Sequence, residues 1–362
     1  MKEGSAMRRA AIVGWGDYTP PAVLSNTDLA TVIDTSDDWI TSRSGIKERR
    51  ISHISNSDMA TAAASQALAT ADMEAADMDL VIVATCSPDR AVPSVAAYVQ
   101  RELGGLGATM DLNAACSGFV YGLSVANGMI AAGTVNRALI IGAERLSSFL
   151  DLNDRSTAVL FGDGAGAVVV EATDGPEGVL SSNLHSDGSL TEILTIRGSG
   201  TESVFDPNVP HTVDMEGREV FRNAVTRMAE GALFALDNAG LGADDVDVLI
   251  SHQANIRIID ATARRLGFEP ENVYTNIHAY GNTSAASIPI ALSEALDQGV
   301  IGPRNIVTMV AFGGGLTWGA AVLRWGDRVT RLRTIEHNVP GTDKTGLELL
   351  AGRVQGLGVS DE

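Results

Sequence analysis

The chain carries the same text twice. Residues 67–82, Ala67-Leu-Ala-Thr-Ala-Asp-Met-Glu-Ala-Ala-Asp-Met-Asp-Leu-Val-Ile82, are echoed by residues 235–250, Ala235-Leu-Asp-Asn-Ala-Gly-Leu-Gly-Ala-Asp-Asp-Val-Asp-Val-Leu-Ile250, at an offset of 168 (247 − 79). The same offset carries the apolar run Ala138–Gly142 onto Ile306–Val310. A helix–strand–strand–helix–strand unit present twice confines the chain to two similar, mostly parallel sheets with helices on their faces. At 362 residues there is room for two such halves. We divide the chain into an N-terminal half, 1–175, a C-terminal half, 176–326, and an extension, 327–362.

In sheets of this kind ligands bind beyond the carboxyl ends of the strands, so the residues placed there are the first candidates for chemistry. In the first copy the stretch Asp111-Leu-Asn-Ala-Ala-Cys116-Ser-Gly-Phe-Val-Tyr-Gly122 sets Cys116 between a buried strand and a helix expected over Phe119–Ala132. Free backbone N–H groups and the helix dipole favour a thiolate there, whereas a plain buried cysteine is the competing reading. In the second copy His252 follows the strand Val248-Leu-Ile-Ser251, and Asn282 opens Asn-Thr-Ser-Ala-Ala-Ser-Ile-Pro289. A glycine loop, Ala311-Phe-Gly-Gly-Gly-Leu-Thr-Trp-Gly319, ends another strand and offers backbone N–H groups. Singly, a core histidine and a turn asparagine are unremarkable. At matching topological positions they point with Cys116 to one site across a pseudo-twofold axis.

Composition limits the partners. A formal net charge of −19 argues against nucleic acid, and an acidic partner would have to meet a local basic patch. No apolar run approaches the ~20 residues of a membrane span, and the first 25 residues lack a signal-peptide pattern, so a cytoplasmic location is expected. Two cysteines, Cys86 and Cys116, suit a reducing compartment, and none of the six histidines stands at a metal-ligand spacing, so no metal is expected. Gly14-x-Gly16 lacks the third glycine of a dinucleotide loop and runs into Pro20-Pro21. Trp39 and Arg43, four apart, share a helix face, either as a seat for a base and its phosphates or as a packed Trp beside a surface ion pair. The polar stretch 173–218 reads as a long irregular loop of the kind that forms lids.

Five motifs now resemble one family. Asn113-Ala-Ala-Cys-Ser-Gly-Phe119, Asp163-Gly-Ala-Gly166, His252-Gln-Ala-Asn-Ile-Arg257, Gly281-Asn-Thr-Ser-Ala-Ala-Ser287 and Phe312-Gly-Gly-Gly-Leu-Thr-Trp-Gly319 closely resemble β-ketoacyl-(acyl carrier protein) synthase III, in unbroken order over about residues 8–326. The resemblance implies an α/β, thiolase-like fold: two pseudo-twofold related mixed sheets in an α/β/α/β/α layering. It implies a catalytic set of Cys116, His252 and Asn282, with the N–H groups of Cys116 and Gly314 as oxyanion hole. It further implies a coenzyme A site at Trp39, Arg43, Arg155, Asn255 and Phe221, and an acyl carrier protein patch at Arg222, Arg257, Arg264 and Arg265. Acyl-CoA and malonyl carrier protein would be the substrates, in a homodimer without a cofactor, and the reaction would start type II fatty acid synthesis.

Three departures stand out. Val92 occupies the place where the family often has an aromatic residue that crosses the dimer interface to close the acyl pocket, which implies room for longer or branched primers. Position 218 is Arg where Asn is common, with no account of its effect from sequence. Residues 327–362 run on where such enzymes usually stop, and read as a poorly ordered tail with at most a short helix around Leu347–Val354. A degradative thiolase would need a second cysteine in the glycine loop, and residues 311–319 hold none. Elongating synthases pair Cys with two histidines, which Asn282 contradicts. A related condensing enzyme of secondary metabolism would keep the same three residues.

Overall fold

The computed structural model describes residues 8–351. Two five-stranded sheets share one plan. The first is built from β1 (Arg9–Tyr18), β2 (Leu80–Ala84), β3 (Ala108–Leu112), β4 (Arg137–Arg145) and β5 (Asp163–Thr173), in the order β1-β5-β4-β2-β3. The second uses β6 (Gly178–Ser186), β7 (Val248–Ser251), β8 (Val273–Tyr274), β9 (Ile306–Gly313) and β10 (Thr317–Arg324), in the order β6-β10-β9-β7-β8. Strand for strand the second repeats the first. The sheets are mixed: β3, β2 and β4 run parallel, while β5 runs antiparallel to both its neighbours, β4 and β1, and the second sheet does the same.

Register refines the offset read from sequence. Val81 faces Leu139 as Leu249 faces Thr308, so the offset is 168 on one strand (249 − 81) and 169 on its neighbour (308 − 139). One residue has been gained between the paired strands.

Strand alternation divides the core into layers. Leu80 and Ile82 of β2, and Val248 and Ile250 of β7, enter a common central cluster with α4 (Gly118–Ala131) and α7 (Ser287–Asp297). Their neighbours Val81 and Val83 face away, onto α2 (Asn56–Ala71), and Leu249 faces α5 (Gly217–Ala239) and α6 (Ile256–Leu266). Strands covered on both faces must be apolar at every position, which is why they read as unbroken hydrophobic runs. Two further helices, α1 (Asp37–Ser44) and α3 (Val95–Leu103), flank the first half.

The Gly14-x-Gly16 pair has a packing role. A Cβ at Gly14 would stand 2.3 Å from the Ala67 carbonyl, and one at Gly16 2.6 Å from that of Ala63, so these glycines let α2 lie directly on β1. α2 stops at Ala71, where Asp72 caps it in the left-handed region at φ 54°.

Two expectations are corrected outside the sheets. The stretch 173–218 is less irregular than its composition suggests: it contains β6 and a two-stranded ribbon, Leu194–Ile196 with Val213–Met215. The extension is tied to the rest of the chain at several points. Arg331 donates to Trp15 O (3.1 Å), Thr70 Oγ1 (3.1 Å) and Ser293 Oγ (3.0 Å) and pairs with Asp297 at 2.7 Å. Arg328 donates to Val13 O and Thr70 O, Arg333 pairs with Asp72, and Leu350 is fully buried in a short helix, α8 (Gly346–Ala351). Residues 352–362, with the end of the helix expected to Val354, lie outside the described residues.

Most of these contacts are made by cations to backbone carbonyls and acids. Such a strap leaves no hydrophobic period for sequence to show. Arg331→Ala leaves a largely buried cluster of acceptors unpaired and is expected to cost about 2 kcal/mol, read as a lower midpoint in urea unfolding. An unchanged midpoint would mean that the strap rests on the fold without supporting it.

Candidate active site

A cavity of about 920 Å³ opens between the halves and brings together Cys116, His252, Asn282 and Gly314 with Trp39 and Arg43. Each reactive side chain is delivered by a different strand end. Cys116 sits in a single 3-10 turn, Ala115–Ser117, between β3 and α4. Ala115 before it takes a left-handed φ of 46°, and its N–H is held by Asn113 Oδ1 at 3.1 Å.

The second half copies this turn. Ser284 takes φ 49°, its N–H is held by Asn282 Oδ1 at 2.8 Å, and a 3-10 turn Ser284–Ala286 leads into α7. Asn282 is therefore the counterpart of Asn113 (282 − 113 = 169). Its backbone N–H donates to Leu160 O at 2.8 Å, and its carbonyl accepts from Gly162 at 3.0 Å. With Oδ1 occupied and the backbone pinned, the amide nitrogen is the group Asn282 has left for the cavity.

His252 follows β7 directly, and its backbone N–H bonds Val310 O of β9 at 2.8 Å. Its Nδ1 lies 2.7 Å from Ser287 Oγ, whose oxygen also accepts the Gln253 N–H at 3.3 Å. A serine O–H donating into Nδ1 puts the ring proton on Nε2, the tautomer in which Nε2 is a donor. The glycine loop is pressed against the nucleophile: a Cβ at Gly313 would stand 2.6 Å from the Cys116 nitrogen.

Electrostatics overturn one expectation. The turn before α4 does not yield a resting thiolate. Burial pushes the Cys116 thiol up to about 12, with Glu144 nearby pushing the same way, and the hydrogen bond with Ser284 only partly offsets this. Desolvation of a full charge outweighs a dipole's partial one. Burial also holds the His252 imidazolium down at about 3, so the resting pair is neutral thiol and neutral imidazole.

The mouth is cationic. Arg43 lies 4.6 Å and Arg155 4.9 Å from the centre of the Trp39 ring, so the Trp39–Arg43 pair does share a face of α1 and faces the cavity. Arg155 also donates to Asp34 O at 2.9 Å. Asn255 caps α6 through the Arg257 N–H and bonds Arg43 O at 3.0 Å, joining α6 to α1. Phe221 lines the cavity with Arg257 6.0 Å from its ring. Arg264 and Arg265 lie exposed at the far end of α6, outside the cavity lining, and Arg222 pairs with Glu219 on α5. Val92 is 81% exposed and does not line this chain's cavity.

Sequence reading passed over several residues here. Arg218, left without an account, lines the cavity as a further cation of its mouth. Ser284, Ser287 and Glu144 were not singled out, although Asn113 and Asn282 at matching offsets mark the turn that carries Ser284. His252 is expected to keep its neutral-ring NMR shifts from about pH 8 to about pH 5. Unfolded His252 takes up a proton below its ordinary 6.5 while the folded ring refuses it, so this residue withdraws stability as pH falls from 6.5 towards 3. A ring titrating near 6.5 would contradict the burial argument.

Comparison with known proteins gives the chain's kinship. Residues 110–188 match the family model 3-oxoacyl-[acyl-carrier-protein] synthase III, and residues 236–325 match its C-terminal model. The chain is 48% identical over 349 residues to β-ketoacyl-[acyl-carrier-protein] synthase III 2 of Vibrio cholerae, covering 96% of each chain. It is 47% identical over 320 residues to the synthase III of Bacillus pumilus, covering 88% of this chain and 99% of that one. Residues 1–326 make up only 90% of this chain (326 of 362), so the Vibrio match reaches into the extension. The crystal structure of 3-oxoacyl-[acyl-carrier-protein] synthase III from Aquifex aeolicus superposes with a TM-score of 0.83 at 45% identity, covering 87% of this chain and all of that one. The priming β-ketosynthase of the R1128 polyketide pathway superposes with a TM-score of 0.84 at 34% identity, covering 90% and 99%. Duplicated sheets, a cysteine facing a histidine and an asparagine across their junction, and kinship over nearly the whole length lead to one assignment: the chain belongs to the β-ketoacyl-(acyl-carrier-protein) synthase III family.

Proposed function

We propose that this protein condenses an acyl-CoA primer with malonyl-(acyl carrier protein), giving a 3-oxoacyl carrier protein, CoA and CO₂, and so initiates type II fatty acid synthesis. The observation that carries the reading is a single cavity with Cys116, His252 and Asn282 within it and aromatic and cationic groups at its mouth.

In the first half-reaction Cys116 sulfur attacks the acyl thioester. The C–S bond to CoA breaks, and CoA leaves past Trp39, Arg43 and Arg155. Backbone N–H groups of Cys116 and Gly314 receive the oxyanion. In the second, the malonyl thioester oxygen takes hydrogen bonds from His252 Nε2–H and the Asn282 amide. Two neutral donors stabilise the enolate left when CO₂ departs, and its carbon attacks the acyl-cysteine. Neither half-reaction changes an oxidation state or calls for a Lewis acid, so the reading includes no metal and no redox cofactor.

Exposed Arg257, Arg264 and Arg265 on α6, with Arg222 beside them on α5, suit the acidic carrier protein, and Arg218 adds a cation for a phosphate at the mouth. We take the active form to be a cytoplasmic homodimer. β3 is an edge strand, and Val92 and Leu106 beside it are 81% and 96% exposed, a surface suited to a second copy. The likeness to a polyketide priming synthase supports a second reading, the same chemistry serving secondary metabolism.

Radiolabelled acyl-CoA is expected to label the native enzyme and not Cys116→Ala; label retained on the variant would remove Cys116 as nucleophile. Cys116→Gln should still decarboxylate the malonyl donor, and adding His252→Ala should slow that step by about 10²-fold. Arg257→Glu with Arg265→Glu should raise KM for malonyl carrier protein about tenfold or more while KM for acyl-CoA changes far less. Equal rises in both constants would dismiss the docking patch.

A further inference from the structure

Helix α1 brings Trp39 and Arg43 to the mouth but has little hold of its own. Over its eight residues only Ile40 and Ser44 are buried, so a single buried apolar side chain anchors it. A helix of about two turns owes its place to what it packs on more than to its own hydrogen bonds. Beneath it lies a cluster that includes Leu24, Leu29, Ile33 and Ile40, with Trp39 packed at its margin. Leu350 of α8 joins this cluster from the far end of the chain, fully buried, and Leu347 and Leu349 pack against it.

The extension reaches this place by a fixed course. Arg328, Arg331 and Arg333 tie it to β1 and to the end of α2, and His53 Nε2 then donates to Pro340 O at 2.6 Å. Thr345 and Glu348 start α8 with a capping box: the Glu348 N–H donates to Thr345 Oγ1 at 3.2 Å, and the Thr345 N–H to Glu348 Oε2 at 2.7 Å. A Cβ at Gly346 would stand 2.6 Å from the Val23 carbonyl oxygen and 2.8 Å from Leu24 Cβ, so the helix start lies directly on the short strand Val23–Ser25.

That strand leads to both ends of α1. Asn26, the residue after it, is buried, and its Nδ2 donates to Asp37 Oδ1 at 2.7 Å, on the first residue of α1, and to Ile46 O at 2.8 Å, just past the last. Buried Arg49 donates to Leu24 O at 3.1 Å and to Asn26 Oδ1 at 2.9 Å, locking the strand to this clamp. The order α8, Val23–Ser25, Asn26, α1 is continuous, and the shared cluster joins its two ends.

We propose that α8 backs the coenzyme A seat: Leu350 fills the cluster under α1 and so positions Trp39 and Arg43 for the nucleotide end of an acyl-CoA primer. This rests on the condensing reading above and deepens it, making the extension a part of primer binding. Leu350 lies outside the cavity lining and acts through α1, as a positioning residue. Its effect is selective. The nucleotide belongs to CoA alone, whereas malonyl carrier protein brings its thioester on a pantetheine arm and docks through the cations of α5 and α6. α6 keeps a buried face of its own, Ile258, Ile259, Ala263 and Leu266, so a loosened α1 leaves that docking surface in place. Cys116, His252 and Asn282 stand on other strand ends and keep their geometry.

Steady-state kinetics of the full chain with two primers test this: acetyl-CoA, which carries the nucleotide, and S-acetylpantetheine, which lacks it. Leu350→Ala is expected to raise KM for acetyl-CoA about tenfold, while kcat and KM for malonyl carrier protein stay within about twofold. kcat/KM for S-acetylpantetheine should equal that of the native enzyme. Leu350→Met, which nearly keeps the volume, should restore most of the native KM. Gly346→Ala leaves Leu350 intact but drives a methyl group at the Val23 carbonyl; it should show the same split, and decides the matter if Leu350→Ala fails to fold. In a Trp39→Ala background Leu350→Ala should add little further, because the ring it positions is gone. Equal losses with both primers, or an unchanged KM for acetyl-CoA in both α8 variants, would overturn the positioning role. An unchanged KM for acetyl-CoA in Trp39→Ala alone would instead overturn the reading of the mouth as a coenzyme A seat.

Discussion

The site depends on how closely the two halves approach at the starts of their central helices. Gly142 of the first sheet lies where a Cβ would be 2.2 Å from the Ala285 carbonyl in the turn before α7, and Gly313 of the second sheet lies where a Cβ would be 2.6 Å from the Cys116 nitrogen in the turn before α4. Each turn is thus seated on the other half's sheet. No side chain fits in either gap, and the left-handed residues Ala115 and Ser284 set the approach of both chains. A duplicated unit buries its turns against its own copy, and the cavity is the space left where the two differ.

Much of this was legible in sequence, for a physical reason. Strands covered on both faces must be apolar throughout, and the two copies kept that pattern, so the duplication could be read and the strand ends of Cys116, His252 and Asn282 could be matched. Glu144 and Ser284 could not be found that way. They are 140 positions apart, belong to common residue types, and acquire their meaning from a contact that exists only after the halves dock. The strap at 327–351 was missed for a related reason, since guanidinium groups seeking carbonyls leave no period. The expectation of a thiolate went wrong by ranking: the turn at Cys116 was read correctly, but its dipole was weighed without the burial that the same packing imposes.

Charge is distributed by depth. A chain of net charge −19 gathers Arg43, Arg218 and Arg257 around one opening, with Arg155 over the Trp39 ring beside it, where phosphates and an acidic protein must pass. Around Cys116 burial pushes Cys116, His252 and Glu144 each towards its neutral form. Cations at the mouth remain solvated and attract at little desolvation cost, whereas a cation deeper in would have to be buried and would hold Cys116 permanently as thiolate.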